Sequence, residues 1–83
     1  MTPEFELTLI GKPGCHLCEE AEAVVTSVIA DFDGEITLVQ RNILEDDALF
    51  AKYSEEIPVL LINGKVHNYW HIDPDRLKAA LTA

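Results

Sequence analysis

Phe5, Leu7 and Leu9 alternate with Glu4, Glu6 and Thr8, and Ile10 follows directly. A period of two predicts a strand, and its mainly apolar end suits a central one covered on both faces. Gly11-Lys12-Pro13-Gly14 breaks it. From Cys18 the period lengthens: Ala21, Val24, Val25, Val28, Ile29 and Phe32 recur at three- and four-residue spacing. Glu19, Glu20 and Glu22 take the other face near the start, where negative charge suits the helix dipole. Asp33-Gly34 is expected to end this helix, with Gly34 as a left-handed cap.

Ile36, Leu38 and Gln40 alternate with Thr37 and Val39, which predicts a second strand, parallel to the first across the helix. Residues 45–53 carry Leu49, Phe50 and Tyr53 at helical spacing, with Asp46 and Asp47 near the start. Val59-Leu60-Leu61-Ile62, Asn63-Gly64 and the stretch from Lys65 to Tyr69 predict a hairpin. Asn-Gly supplies the two positive-φ positions of a type I′ turn. Asp73-Pro74 announces a last helix as N-cap and first residue, with Leu77, Ala80 and Leu81 on its buried face. The order is β-α-β-α-β-β-α, an α/β fold with a four-stranded mixed sheet flanked by three helices.

The 83 residues suffice for one domain, with a core that leaves little stability to spare. A net charge of −9 leaves no basic stripe for phosphates, so neither nucleic acid nor a membrane surface is an expected partner. No apolar run reaches the length of a membrane span, and Met-Thr-Pro-Glu-Phe-Glu lacks the pattern of a secretory leader. A cytoplasmic protein, monomeric by its acidic and patch-poor surface, is the expectation.

Composition matters most at cysteine. The only two are Cys15 and Cys18. A bridge between them closes too short a loop to constrain the unfolded chain much, so chemistry explains them better than stapling. A thiol attacks as thiolate, and free cysteine has a pKa of about 8.5. At the start of a helix, unpaired N–H groups favour the anion. Lys12, and His16 when protonated, add positive charge beside Cys15. We therefore expect Cys15 to be the nucleophile, with a lowered pKa. Cys18, one turn on and expected to be more buried, would resolve a mixed disulfide.

Other readings of these residues remain. Cys18 lies on the apolar spacing of Ala21 and Val25, so it suits a packing role. Cys15-x-x-Cys18 with His67-x-x-x-His71 offers four zinc-type ligands. On a continuous strand those histidines would be about 13 Å apart, too far for one metal. No metal ligand is assigned.

Cys15-His16-Leu17-Cys18, preceded by Lys12-Pro13-Gly14 and followed by Ile57-Pro58-Val59-Leu60 and the Asn63-Gly64 hairpin, resembles the glutaredoxin-like family of the thioredoxin superfamily. It is similar to the small bacterial branch with a Cys-His-Leu-Cys motif. The element order is that of the minimal thioredoxin fold. The resemblance implies a thiol–disulfide oxidoreductase with Cys15 and Cys18 as its catalytic pair. It implies a cis Pro58 against the dithiol, an Ile57 backbone that pairs with an extended substrate, and a Lys12 that meets a carboxylate of glutathione. His16, Leu17 and Trp70 complete the expected substrate-binding set.

The expected partners are a disulfide-bearing protein or a low-molecular-weight thiol, and an external reductant, either glutathione or a thioredoxin-type donor. No tightly bound cofactor is expected; glutathione would act as co-substrate. The sequence departs from the family at His16-Leu17, where glutaredoxins usually carry Pro-Tyr. It departs again at His67-Asn68-Tyr69-Trp70-His71, where they usually carry Gly-Gly and a polar pair. Trp70 would either fill the glutathione groove or offer an apolar platform, unless it and Tyr69 pack under the last helix. The competing functions are a metal or iron–sulfur module on Cys15 and an idle interaction domain that keeps the fold.

Overall fold

β1 (Glu4–Gly11) is the strand on which the rest is assembled. It pairs in parallel with β2 (Glu35–Asn42), from Glu4 opposite Glu35 to Gly11 opposite Asn42. On its other side it pairs antiparallel with β3 (Val59–Ile62), which pairs antiparallel with β4 (Lys65–Tyr69). The sheet order is β2-β1-β3-β4. The helices are α1 (His16–Asp31), α2 (Asp47–Tyr53) and α3 (Pro74–Thr82), with a 3-10 turn at Ile43–Glu45. This is a computed structural model that describes residues 4–82. The first three residues of the stretch read as lacking a leader lie outside that range.

Successive side chains of a strand point to opposite faces, and β1 uses both. Leu7 and Leu9 join Ala21, Val25 and Val28 of α1, Leu60, and Leu77 and Leu81 of α3 in the larger core. Ile10 joins Val59, Ile43 and Tyr53 in a smaller core on the opposite face. The apolar end of β1 is thus covered on both sides, as its pattern predicts.

The helix ends follow from side-chain caps, with one correction. Asp46 Oδ1 accepts from the N–H groups of Ala48 and Leu49 at 3.0 and 3.2 Å, so α2 begins after it. Asp73 Oδ1 accepts from Asp75 and Arg76 at 2.9 and 3.2 Å and caps α3. α1, however, is not closed by a left-handed Gly34. It stops at Phe32, which is extended (φ −84°) and donates its N–H to Ile29 O at 3.1 Å. Phe32 rests edge-on against Phe5, ring centres 5.8 Å apart, so aromatic packing turns the chain before the glycine.

The hairpin has the predicted turn, with φ of 49° at Asn63 and 85° at Gly64. Asn63 is also tied to β1. Its N–H donates to Glu6 O at 2.8 Å, and its Oδ1 accepts from Glu6 N–H at 2.9 Å.

Candidate functional site

Cys15 is the N-cap of α1. Its backbone is extended (φ −100°, ψ 112°), and its Sγ accepts the N–H of Cys18 at 3.2 Å. An oxygen side chain usually takes this orphan donor of the first turn; here sulfur does. The carbonyl of Cys15 accepts from Glu19 N–H at 3.0 Å, the first bond of the helix. Cys15 and Cys18 are joined as a disulfide, with Cα atoms 5.2 Å apart. Both residues are half-buried. Their backbone roles separate them: Cys15 is the cap facing the free N–H groups, and Cys18 lies inside the helix.

The Gly11–Gly14 loop delivers the chain to that cap. Gly14 takes a φ of 75°, which favours glycine. Gly11 serves differently. A Cβ there would lie 2.9 Å from Cys18 Sγ and 3.2 Å from Cys18 Cβ. The end of β1 thus lacks a side chain where the second sulfur packs. Lys12 is exposed and lines a cleft of about 340 Å³ together with Gly11, Cys18 and Arg41. Arg41 also pairs with Asp46, Nη2 to Oδ2 at 3.5 Å. Neither Gly11 nor Arg41 was marked as a site residue by sequence. Gly11 reads only as a strand breaker. No sequence signal points to Arg41, whose place opposite Ile10 is set by the parallel register.

His16 turns away from the sulfurs. Its side chain is 97 % exposed, with Nδ1 3.8 Å from Glu19 Oε2, so it belongs to the rim. Leu17, next along, is half-buried.

The far side of the site comes from β3. Ile10 pairs with Val59, the last pair between β1 and β3, so Pro58 lies one residue beyond that pair, in the direction of Gly11. The Ile57–Pro58 peptide bond is cis. Pro58 is fully buried, and Ile57 packs at the edge of the smaller core. Trp70, which directly follows β4, donates its N–H to Pro58 O at 2.9 Å.

Tyr69 and Trp70 are not packed under the last helix. They are 46 % and 50 % exposed, and their rings meet edge to face at 5.1 Å. The physical reason lies at Trp70, where a φ of 62° turns the chain out of the sheet. Ile72, two residues on, fills the core position under α3 instead.

His67 is the extra residue of a bulge in β4, since Leu60 faces Asn68 and Leu61 faces Val66. Its Nε2 is buried without a hydrogen-bond partner. Burial, and then the charge of Arg76, lower its pKa from the ordinary value. Among the described residues no three His, Cys, Asp or Glu side chains converge to hold a metal. Nor is any helix among them long and apolar enough to cross a membrane.

Comparison with known proteins adds a family and a fold. Residues 6–82 match the family described as "Glutaredoxin-like domain (DUF836)". A protein of X. campestris solved by X-ray diffraction is 31 % identical, with a TM-score of 0.73 over 92 % of this chain and 95 % of that one. A protein of Nitrosomonas europaea solved by NMR is 28 % identical, with a TM-score of 0.74 over 92 % and 89 %. Thioredoxin-2 of the malaria parasite, 17 % identical with a TM-score of 0.69 over 99 % and 84 %, shares the fold alone. An uncharacterised protein of Mycobacterium tuberculosis is 22 % identical over 89 % of this chain and 79 % of its own length. The architecture is therefore thioredoxin-like, with the cysteine pair at the helix start.

Proposed function

Because the chain belongs to the glutaredoxin-like domain family, we propose that it is a thiol–disulfide oxidoreductase working through Cys15 and Cys18. The observation that carries this reading is the cap: Cys15 Sγ already accepts a first-turn N–H of α1. In the reduced protein the same donor and the helix dipole favour a thiolate at that atom.

The chemistry uses only the two sulfurs. The Cys15 thiolate attacks one sulfur of a substrate disulfide, and the S–S bond breaks. One substrate half leaves as a thiolate and takes a proton from solvent, while the other stays bonded to Cys15. Cys18 loses its proton and attacks Cys15 Sγ, which closes the Cys15–Cys18 bond and frees the second substrate thiol. Two electrons have passed to the substrate, and an external thiol donor returns them. That donor is glutathione or a thioredoxin-type protein, and the substrate is a disulfide-bearing protein or the disulfide of a low-molecular-weight thiol. No bound cofactor enters the scheme. We assign Lys12, Ile57 and Trp70 to substrate binding, with His16 and Leu17 at the helix start and the buried Pro58 acting through the backbone of Ile57 that it holds. The reaction suits a monomer in the reducing cytoplasm.

The test is pH-dependent alkylation of the reduced protein. Cys15 should titrate below the free-cysteine value of about 8.5. The low-pH reactivity should vanish in Cys15→Ser and persist in Cys18→Ser. Cys18→Ser should also accumulate a mixed disulfide that the parent protein resolves. A Cys15 that alkylates like a free thiol, with no mixed disulfide trapped, would sink the assignment.

A further inference from the structure

We infer that Trp70 and Tyr69, rimmed by acidic residues, form a prebuilt seat for a cationic side chain that flanks the disulfide of an extended protein substrate. The inference rests on the oxidoreductase reading and adds a substrate class to it.

Three observations carry it. Trp70 is fixed at both ends. Its N–H donates to Pro58 O at 2.9 Å, and its indole Nε1–H donates to Glu55 O at 3.1 Å. Its φ of 62° is one that a bulky residue rarely adopts. Such an outlier is maintained only where its surroundings over-determine it, and it often marks a functional site. The ring is nevertheless 50 % exposed and stands edge to face with the exposed Tyr69 at 5.1 Å. Half of an aromatic surface is thus held in place facing solvent.

Its location is also specific. The Trp70 N–H donates to Pro58 O, and Pro58 lies one residue beyond Val59, the partner of Ile10 near the end of the strand that leads into the dithiol loop. On this reading, a residue next to the half-cystine of an extended substrate is the one that meets the ring.

Charge supplies the choice of occupant. Glu55, whose carbonyl holds the indole, and Glu56 are exposed immediately before Ile57. Asp73 is exposed shortly after Trp70, in a chain of net charge −9. An aromatic surface with an acidic rim attracts arginine or lysine through cation–π and Coulombic terms together. The same rim repels glutathione, which is a net anion.

The test is single-turnover oxidation of the pre-reduced full chain, read as loss of protein thiols. Two peptide disulfides are compared, identical except for Arg or Glu beside the half-cystine, with glutathione disulfide as a third oxidant. Each takes two electrons from Cys15 and Cys18, so no further reductant is needed. The Arg peptide should react about tenfold faster than the Glu peptide. Trp70→Gly tolerates the left-handed backbone and should bring that ratio close to one. The double variant Glu55→Gln/Glu56→Gln should lower it part of the way, and it decides the matter if Trp70→Gly does not fold. Equal rates for the two peptides, or a ratio that survives both variants, would overturn the seat and leave the oxidoreductase reading intact. No oxidation by any of the three disulfides would overturn both.

Discussion

Gly11 is where a single hydrogen atom matters most. Any Cβ at this position meets Cys18 Sγ at 2.9 Å, and that sulfur is not free to swing away while it is bonded to Cys15. In the reduced protein Cys18 can change rotamer. Gly11→Ala should therefore overpack the oxidised form, by about 1–3 kcal/mol, and disturb the reduced form less. The expected result is that Gly11→Ala lowers the Tm of the oxidised protein more than that of the reduced protein. Equal losses in the two forms would mean that the sulfur has more room than the contact implies. Cys15 depends on its neighbours in the opposite sense, because its chemistry follows from a donor, the Cys18 N–H, that the helix leaves unpaired.

At the level of elements, short polar side chains decide where helices and strands stop. Asp73 is the clearest case, since one carboxylate oxygen accepts two N–H groups of α3. Leu77 and Leu81 of that helix complete the larger core, so a frayed first turn loosens more than itself. Asp73→Ala should cost about 1 kcal/mol, or about 4–8 °C in Tm for a domain of this size. Thermal melts of the two proteins at one pH measure it, and an unchanged Tm would show that Pro74 and the packing suffice. Asn68 supports the same junction by accepting the N–H of Asp73 at 2.9 Å, which links the end of β4 to the start of α3. The route past Trp70 is thereby held on both sides.

For the whole molecule, charge and proton binding set the response to pH. His67 sits in β4 with a buried, unpartnered Nε2, and burial followed by the Arg76 charge lowers its pKa below 6.5. The unfolded chain binds this proton more readily than the folded one. The stability tied to His67 is therefore full above the unfolded value and is lost as pH falls through it toward the folded value. Between about pH 7.5 and pH 5, the Tm of the parent should fall further than that of His67→Leu. Parallel curves for the two proteins would show that His67 protonates as easily folded as unfolded.

Periodicity and turn chemistry are local properties, and they made the element order legible. The alternation from Phe5 to Leu9, the helical spacing from Ala21 to Phe32, and Asn63-Gly64 each specify backbone geometry within a few residues. The placement of Cys15 and Cys18 at a helix start was legible for the same reason, as was the Asp73 cap. Tertiary structure decided the rest, because it concerns atoms that meet across the sheet. Phe5 and Phe32 close α1 before Gly34 is reached. Gly11 makes room for a sulfur seven residues ahead. Trp70 faces solvent because Pro58 and Glu55, distant in sequence, supply its two acceptors. Local pattern names the backbone each residue prefers, whereas the neighbour that competes for its hydrogen bond or its space is known only once the strands are paired.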